Sequence, residues 1–132
     1  MAEASYPDGL LYHPAHDWAR IDPAETGLAT FGITWYAQDS LGEVVFCELP
    51  PPGTAVTAGE PYAEVESVKA VSDVVAPLSG EIVEVNESLA DAPQEINEDP
   101  YGEGWLVKVR LSDPAEREQL MDAAAYTSSL SG

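Results

Sequence analysis

Two lysines stand in this chain, Lys69 and Lys108. Lys69 lies in Ala63-Glu64-Val65-Glu66-Ser67-Val68-Lys69-Ala70-Val71-Ser72-Asp73-Val74-Val75-Ala76-Pro77, where two β-rich runs meet without a glycine-rich loop. A tight hairpin with Val68 and Lys69 near its tip satisfies that spacing. Neither residue is Gly or Asn, so the turn requires unusual geometry supported by the rest of the fold. A lysine there offers its amine on a flexible stem, a place to attach a prosthetic group that a modifying enzyme can reach from most sides. The pattern alone more often means an ordinary exposed lysine in a turn. Lys108 falls mid-strand, with less access, so Lys69 is the better candidate for modification.

Other groups with chemical potential are weaker. His13, His16 and Asp17 are ligand types for zinc, but no third or fourth ligand follows at a telling spacing. Histidine packing or turn hydrogen bonding is the better reading. Cys47 lies in the strand-like Val44-Val45-Phe46-Cys47-Glu48-Leu49. It reads as a small half-buried hydrophobe, with no identifiable histidine to activate it. A single thiol makes no internal disulfide, which fits a reducing compartment. The acidic stretch Glu95 to Glu103 lacks the Asp-x-Asp-x-Asp-Gly pattern of a calcium loop. No Ser-His-Asp arrangement can be argued.

The elements that must position these groups are mostly short strands. They are expected at 18–21, 28–31, 43–49, 61–66, 71–76, 80–86 and 105–111, with a polar turn over 22–27. The last alternates, with Trp105, Val107, Val109 and Leu111 on one face and Leu106, Lys108 and Arg110 on the other. A helix follows Ile33, with Thr34 as N-cap and a stop near Gly42. A second starts at Asp113 with Pro114 at its first position and Glu116 completing a capping box, and continues through Leu120 toward Leu130. Gly42-Glu43-Val44-Val45 recurs as Gly80-Glu81-Ile82-Val83, a faint echo that fits two similar half-sheets joined near Lys69. The 132 residues, 45% of them apolar, suit one domain over 1–132.

The formal charge is −19, from 24 acidic and 5 basic side chains. Such a surface repels nucleic-acid phosphates and anionic membranes, which excludes both as partners. No apolar run approaches the ~20 residues needed to span a bilayer. Met1 to Gly9 has no basic residue ahead of an apolar stretch, so neither a secretory signal nor an Arg-rich transit peptide is expected.

Taken together, the motifs carry a resemblance. Glu66-Ser67-Val68-Lys69-Ala70-Val71-Ser72-Asp73 resembles the lipoylation segment of glycine cleavage H proteins. His13-Pro14-Ala15-His16-Asp17-Trp18 resembles the family's N-terminal His-[Glu/Asp]-Trp element. The stretch from Gly32 to Phe46 resembles its helix-to-strand signature, and that from Asn97 to Leu106 its late loop and strand. The likeness runs from about Tyr12 to Leu130 in the family's order. Biotin carriers share the hairpin but flank the target lysine with Met; Val68 and Ala70 stand here instead.

The resemblance implies a mainly β, lipoyl-domain-like barrel-sandwich hybrid of two small antiparallel sheets with short peripheral helices, one C-terminal. It implies lipoate joined by an amide to Lys69, on an arm reaching on the order of 10–15 Å. The implied role is that of a non-catalytic shuttle. It takes an aminomethyl group from the PLP-dependent glycine decarboxylase (P protein) to aminomethyltransferase (T protein), and the dithiol to dihydrolipoamide dehydrogenase (L protein). A lipoate ligase or octanoyltransferase would load it. Asp73 and Asp17 match acidic places in a cleft for the loaded arm; Asp17 is shorter than the Glu often found there, and Ala15 replaces a frequent Ser. Glu66, Ser67, Val68 and Ala70 match the segment used in lipoylation recognition. The implied location is a bacterial cytoplasm, or a mitochondrial matrix for a mature organellar form. Relay of lipoyl groups to other complexes is an alternative within the family; a biotin-type carrier is the alternative outside it.

Overall fold

The computed structural model describes residues 6–25 and 27–131 of the chain. Met1 to Ser5 and Thr26, which fall in the expected N-terminal stretch and first polar turn, lie outside these. In chain order the elements are β1 (Leu11–His13), β2 (Asp17–Ile21), β3 (Leu28–Ile33), α1 (Trp35–Leu41), β4 (Val44–Glu48), β5 (Ala55–Val56), β6 (Pro61–Ser67), β7 (Val71–Val75) and β8 (Gly80–Val85). There follow α2 (Glu95–Glu98), β9 (Val107–Leu111) and α3 (Ala123–Ser131), with 3₁₀ turns at Glu87–Ala90 and Pro114–Gln119.

The strands form two antiparallel sheets, one ordered β1-β2-β3-β9-β8-β5 and the other β4-β6-β7. Their inner faces share one core, with Phe31, Val65, Val74, Leu78, Ile82, Val107 and Val109 buried in it. Strand residues alternate between that core and solvent, so period-two patterning in the sequence becomes sidedness. A second cluster lies outside the main core. Tyr12 and Trp18 meet Ala123 and Tyr126 of α3 there, and the Tyr12 and Tyr126 rings stack at 4.8 Å. Gly32 leaves room for it: a Cβ at that position would come within 2.5 Å of the Trp18 ring.

The mainly β expectation holds, as do two sheets with peripheral helices and a C-terminal one. The echoed segments fall in different sheets of unequal size, rather than in matched halves. Thr34 caps α1, its Oγ1 accepting from Ala37 N at 3.3 Å, and Gly42 ends it with φ 84°. Glu116 departs from the capping box. Its carboxylate accepts from Ser79 N and Ser79 Oγ at 2.8 and 2.9 Å, tying the 3₁₀ turn to the turn before β8. Leu106 is buried rather than outward, because β9 begins only at Val107 and Leu106 N donates to Phe31 O at 2.9 Å. The acidic stretch read as a loop contains α2, anchored by the buried Ile96.

Candidate functional site

Lys69 stands at the tip of the β6–β7 hairpin, exposed to solvent. Ser67 N donates to Ala70 O at 2.7 Å and closes a two-residue turn of Val68 and Lys69. The turn is unusual, as expected: two-residue hairpins favour turns with positive φ, and neither residue here has one. Hydrogen bonds support it. Ser67 Oγ accepts from Lys69 N at 3.3 Å and Ala70 N at 3.1 Å, and Val68 N donates to Glu43 O at 3.1 Å. Ser67 is thus buried and committed to the turn, while Glu66, Val68 and Ala70 face solvent. The ion pairs among the described residues, Lys108 with Glu84 and Arg110 with Glu25, leave the Lys69 amine out.

The platform beneath the tip is held by a residue that sequence reasoning did not single out. Asn97 Nδ2 donates to Gly42 O at 2.8 Å and to Gln38 Oε1 at 3.0 Å, while its Oδ1 accepts from Val44 N at 2.8 Å. One amide therefore fixes the end of α1, the turn at Gly42 and the start of β4. Each bond spans more than 50 positions, a pairing that no local pattern reveals.

The hairpin borders a cleft of about 360 Å³ between β7, α1 and the turn ahead of β2. Asp17 and Asp73 both line it, together with His16, Tyr36, Ser40, Ala70 and Val71. The two aspartates, 56 positions apart in sequence, thus come to one cavity beside Lys69. Their settings differ. Asp73 is exposed; Asp17 is only 2% exposed and its Oδ2 has no hydrogen-bond partner. Burial pushes the Asp17 carboxyl well above its usual range, since removal from water penalises the charged form. The Tyr62 hydroxyl is also buried and unpartnered; burial raises it, and the Asp17 charge adds to the effect.

His16 sits at the cleft wall with φ 73°, a left-handed backbone rare outside glycine. Its Nδ1 lies 2.7 Å from the Tyr126 hydroxyl, which is also 2.8 Å from Thr34 Oγ1. Burial lowers its pKa. The ring is spent in packing and hydrogen bonding, as is that of His13, whose Nδ1 accepts from Ala15 N at 3.0 Å. No group of three or more His, Cys, Asp or Glu able to hold a metal occurs among the described residues. Cys47 is half-buried and burial pushes its thiol up, leaving less thiolate.

Comparison with known proteins gives a consistent answer. Residues 10–132 match the family model described as glycine cleavage H-protein. A glycine cleavage system H protein of Rubrobacter xylanophilus is 57% identical over 110 residues, covering 83% of this chain and 85% of that protein. One named as mitochondrial, from Mesembryanthemum crystallinum, is 56% identical over 120 residues, covering 91% of this chain and 71% of that protein. The crystal structure of a glycine cleavage system H protein from Mycobacterium marinum superposes with a TM-score of 0.85 at 41% identity, covering 96% of this chain and 99% of the other. The motif around Lys69, the shared architecture and these matches together mean that this chain belongs to the glycine cleavage H-protein family.

Proposed function

We propose that this chain is the lipoyl-bearing shuttle of a glycine cleavage system, with the lipoyl group joined by an amide to Lys69 Nζ. The observation that carries the site is the solvent-exposed Lys69 at a hairpin tip, its amine outside the ion pairs of the described residues. A ligase or octanoyltransferase reaches such an amine without opening the fold. The core shared by both sheets supports one carrier domain over 1–132.

The residues beside the tip suit the group. The cleft is partly apolar, with Ile33, Leu41 and Val71 for a hydrocarbon stem. Asp17 Oδ2 is buried and unpartnered in the cleft wall, an acceptor still lacking a donor. Asp73 adds a second carboxylate at the rim, where Ala15 offers no hydroxyl. When bound, the group supplies a redox-active dithiol and a sulfur that takes up the one-carbon unit. The chain's own residues present that arm at Lys69 and offer the carboxyls of Asp73 and Asp17, both in the cleft lining, to its cationic end. On this reading the chain performs no bond chemistry itself. Tethering concentrates the arm at three partners: glycine decarboxylase, aminomethyltransferase and dihydrolipoamide dehydrogenase. The compartment is a bacterial cytoplasm or a mitochondrial matrix; no described helix is long and apolar enough to cross a membrane.

Lys69→Arg tests the attachment directly. Exposure of the side chain predicts unchanged thermal stability, with complete loss of lipoylation and of glycine-dependent carbon transfer in the reconstituted system. Lipoylation or transfer at the parent rate in this variant would refute the site.

A further inference from the structure

The three-stranded sheet turns one face to solvent beside Lys69, and a local irregularity shapes it. β4 carries a bulge: Val44 lies opposite Ser67, whereas Phe46 lies opposite Glu66. Regular alternation would send Phe46 inward with Val44. The extra residue instead leaves Val44 buried while Val45 and Phe46 are 44% and 55% exposed. A bulge re-aims a side chain, and here it aims a phenylalanine into water. Phe46, Glu66 and Val71 pair in register across β4, β6 and β7, and Val71 is 60% exposed. Two positions further from the tip, Glu48, Glu64 and Asp73 form a second row, all exposed. Like charges directly opposite one another in a sheet oppose folding. The isolated chain therefore carries two exposed apolar side chains flanking Glu66, and beside them a repulsive row, on the face that ends at Lys69.

Such a face is complementary to a protein with an apolar shelf and a basic rim. Partners that act at the far end of the arm can dock clear of the hairpin, since the arm reaches on the order of 10–15 Å. The enzyme that attaches the arm has no such freedom. It must bring an activated carbonyl to bonding distance of Nζ, and so covers the residues adjoining Lys69. We infer that the face formed by Phe46 and Val71, with its carboxylate row, is the docking surface for the enzyme that acylates Lys69. This rests on the reading of Lys69 as attachment point. With a ligase, Nζ gives a proton to an enzyme base and attacks the carbonyl carbon of the lipoyl adenylate. The N–C bond forms, the C–O bond to phosphate breaks, and AMP leaves with the electron pair.

The test is lipoylation of the whole chain by a lipoate ligase with lipoate and ATP, measured as initial rates over carrier concentration, with the modified residue mapped. Phe46→Ser is expected to lower kcat/KM about tenfold through KM, with kcat within about twofold of the parent. Glu64→Gln is expected to lower kcat/KM severalfold and flatten its salt dependence. Because it relieves repulsion, it does not act by unfolding. If both variants keep kcat/KM within about twofold and Lys69 is acylated, the docking face is overturned and the attachment reading stands. If the parent chain gains no acyl group on Lys69, the attachment reading is overturned and the docking face falls with it. Unchanged acylation of Phe46→Ser, with slower glycine turnover once loaded, assigns the face to the arm-end partners and also overturns the proposal.

Discussion

Lys69 lays its stem across Gly42: a Cβ at position 42 would stand 3.4 Å from Lys69 Cε and 3.8 Å from Nζ. Those are ordinary van der Waals distances, so the lysine itself tolerates a methyl group there. The backbone does not, because φ 84° with ψ −155° is a region reserved for glycine. Gly42→Ala is expected to cost about 1–3 kcal/mol in urea unfolding. Lipoylation of the folded variant should proceed within about twofold of the parent rate. A large loss of acylation without loss of stability would mean that the path of the lysine stem over Gly42, rather than its exposure, governs access.

The buried Asp17 carboxyl predicts a pH-dependent stability. Its folded-state pKa is raised by burial, whereas unfolded Asp17 ionises near its ordinary value. A raised value means that the folded chain holds the proton more tightly. The stability from this group is therefore full below about pH 4 and is lost as pH rises through the folded-state value. Asp17→Asn has no such dependence. The variant should gain on the parent as pH increases from 4 to 8, by about 1.4 kcal/mol for each tenfold displacement of the proton equilibrium. Urea titrations across that range measure it, and a difference independent of pH would contradict the assignment. The same variant should shorten the lifetime of the loaded carrier if Asp17 holds the arm.

Tyr126 joins α3 to the cleft. Its hydroxyl lies 2.8 Å from Thr34 Oγ1 and 2.7 Å from His16 Nδ1, and its ring stacks on Tyr12. Tyr126→Phe keeps the stacking and removes both hydrogen bonds, at an expected cost of about 1–2 kcal/mol. Hydrogen exchange should show the loss concentrated in α3 and around His16. Uniform loss across both sheets would contradict that coupling.

What the sequence disclosed was local. Thr34 and Gly42 marked α1 because capping is decided within a few residues. The β-rich runs flanking Lys69 marked the hairpin for the same reason. What it did not disclose was tertiary. Glu116 stands in the right place for a capping box, yet its carboxylate goes to Ser79, 37 positions away. Asn97 looks like one polar residue in an acidic stretch, yet it ties together Gln38, Gly42 and Val44. The bulge that exposes Phe46 is a matter of register between β4 and β6, invisible in β4 alone. The motif resemblance located Asp17 and Asp73; only folding brings them to one cleft and separates a buried carboxyl from an exposed one.

The most direct measurement is intact-mass spectrometry with peptide mapping of the protein purified from its native host growing on glycine. A lipoyl group is expected on the peptide containing Lys69 and none on the peptide containing Lys108. A lipoyl group on Lys108, or a Lys69 peptide of unmodified mass throughout the preparation, would contradict that expectation.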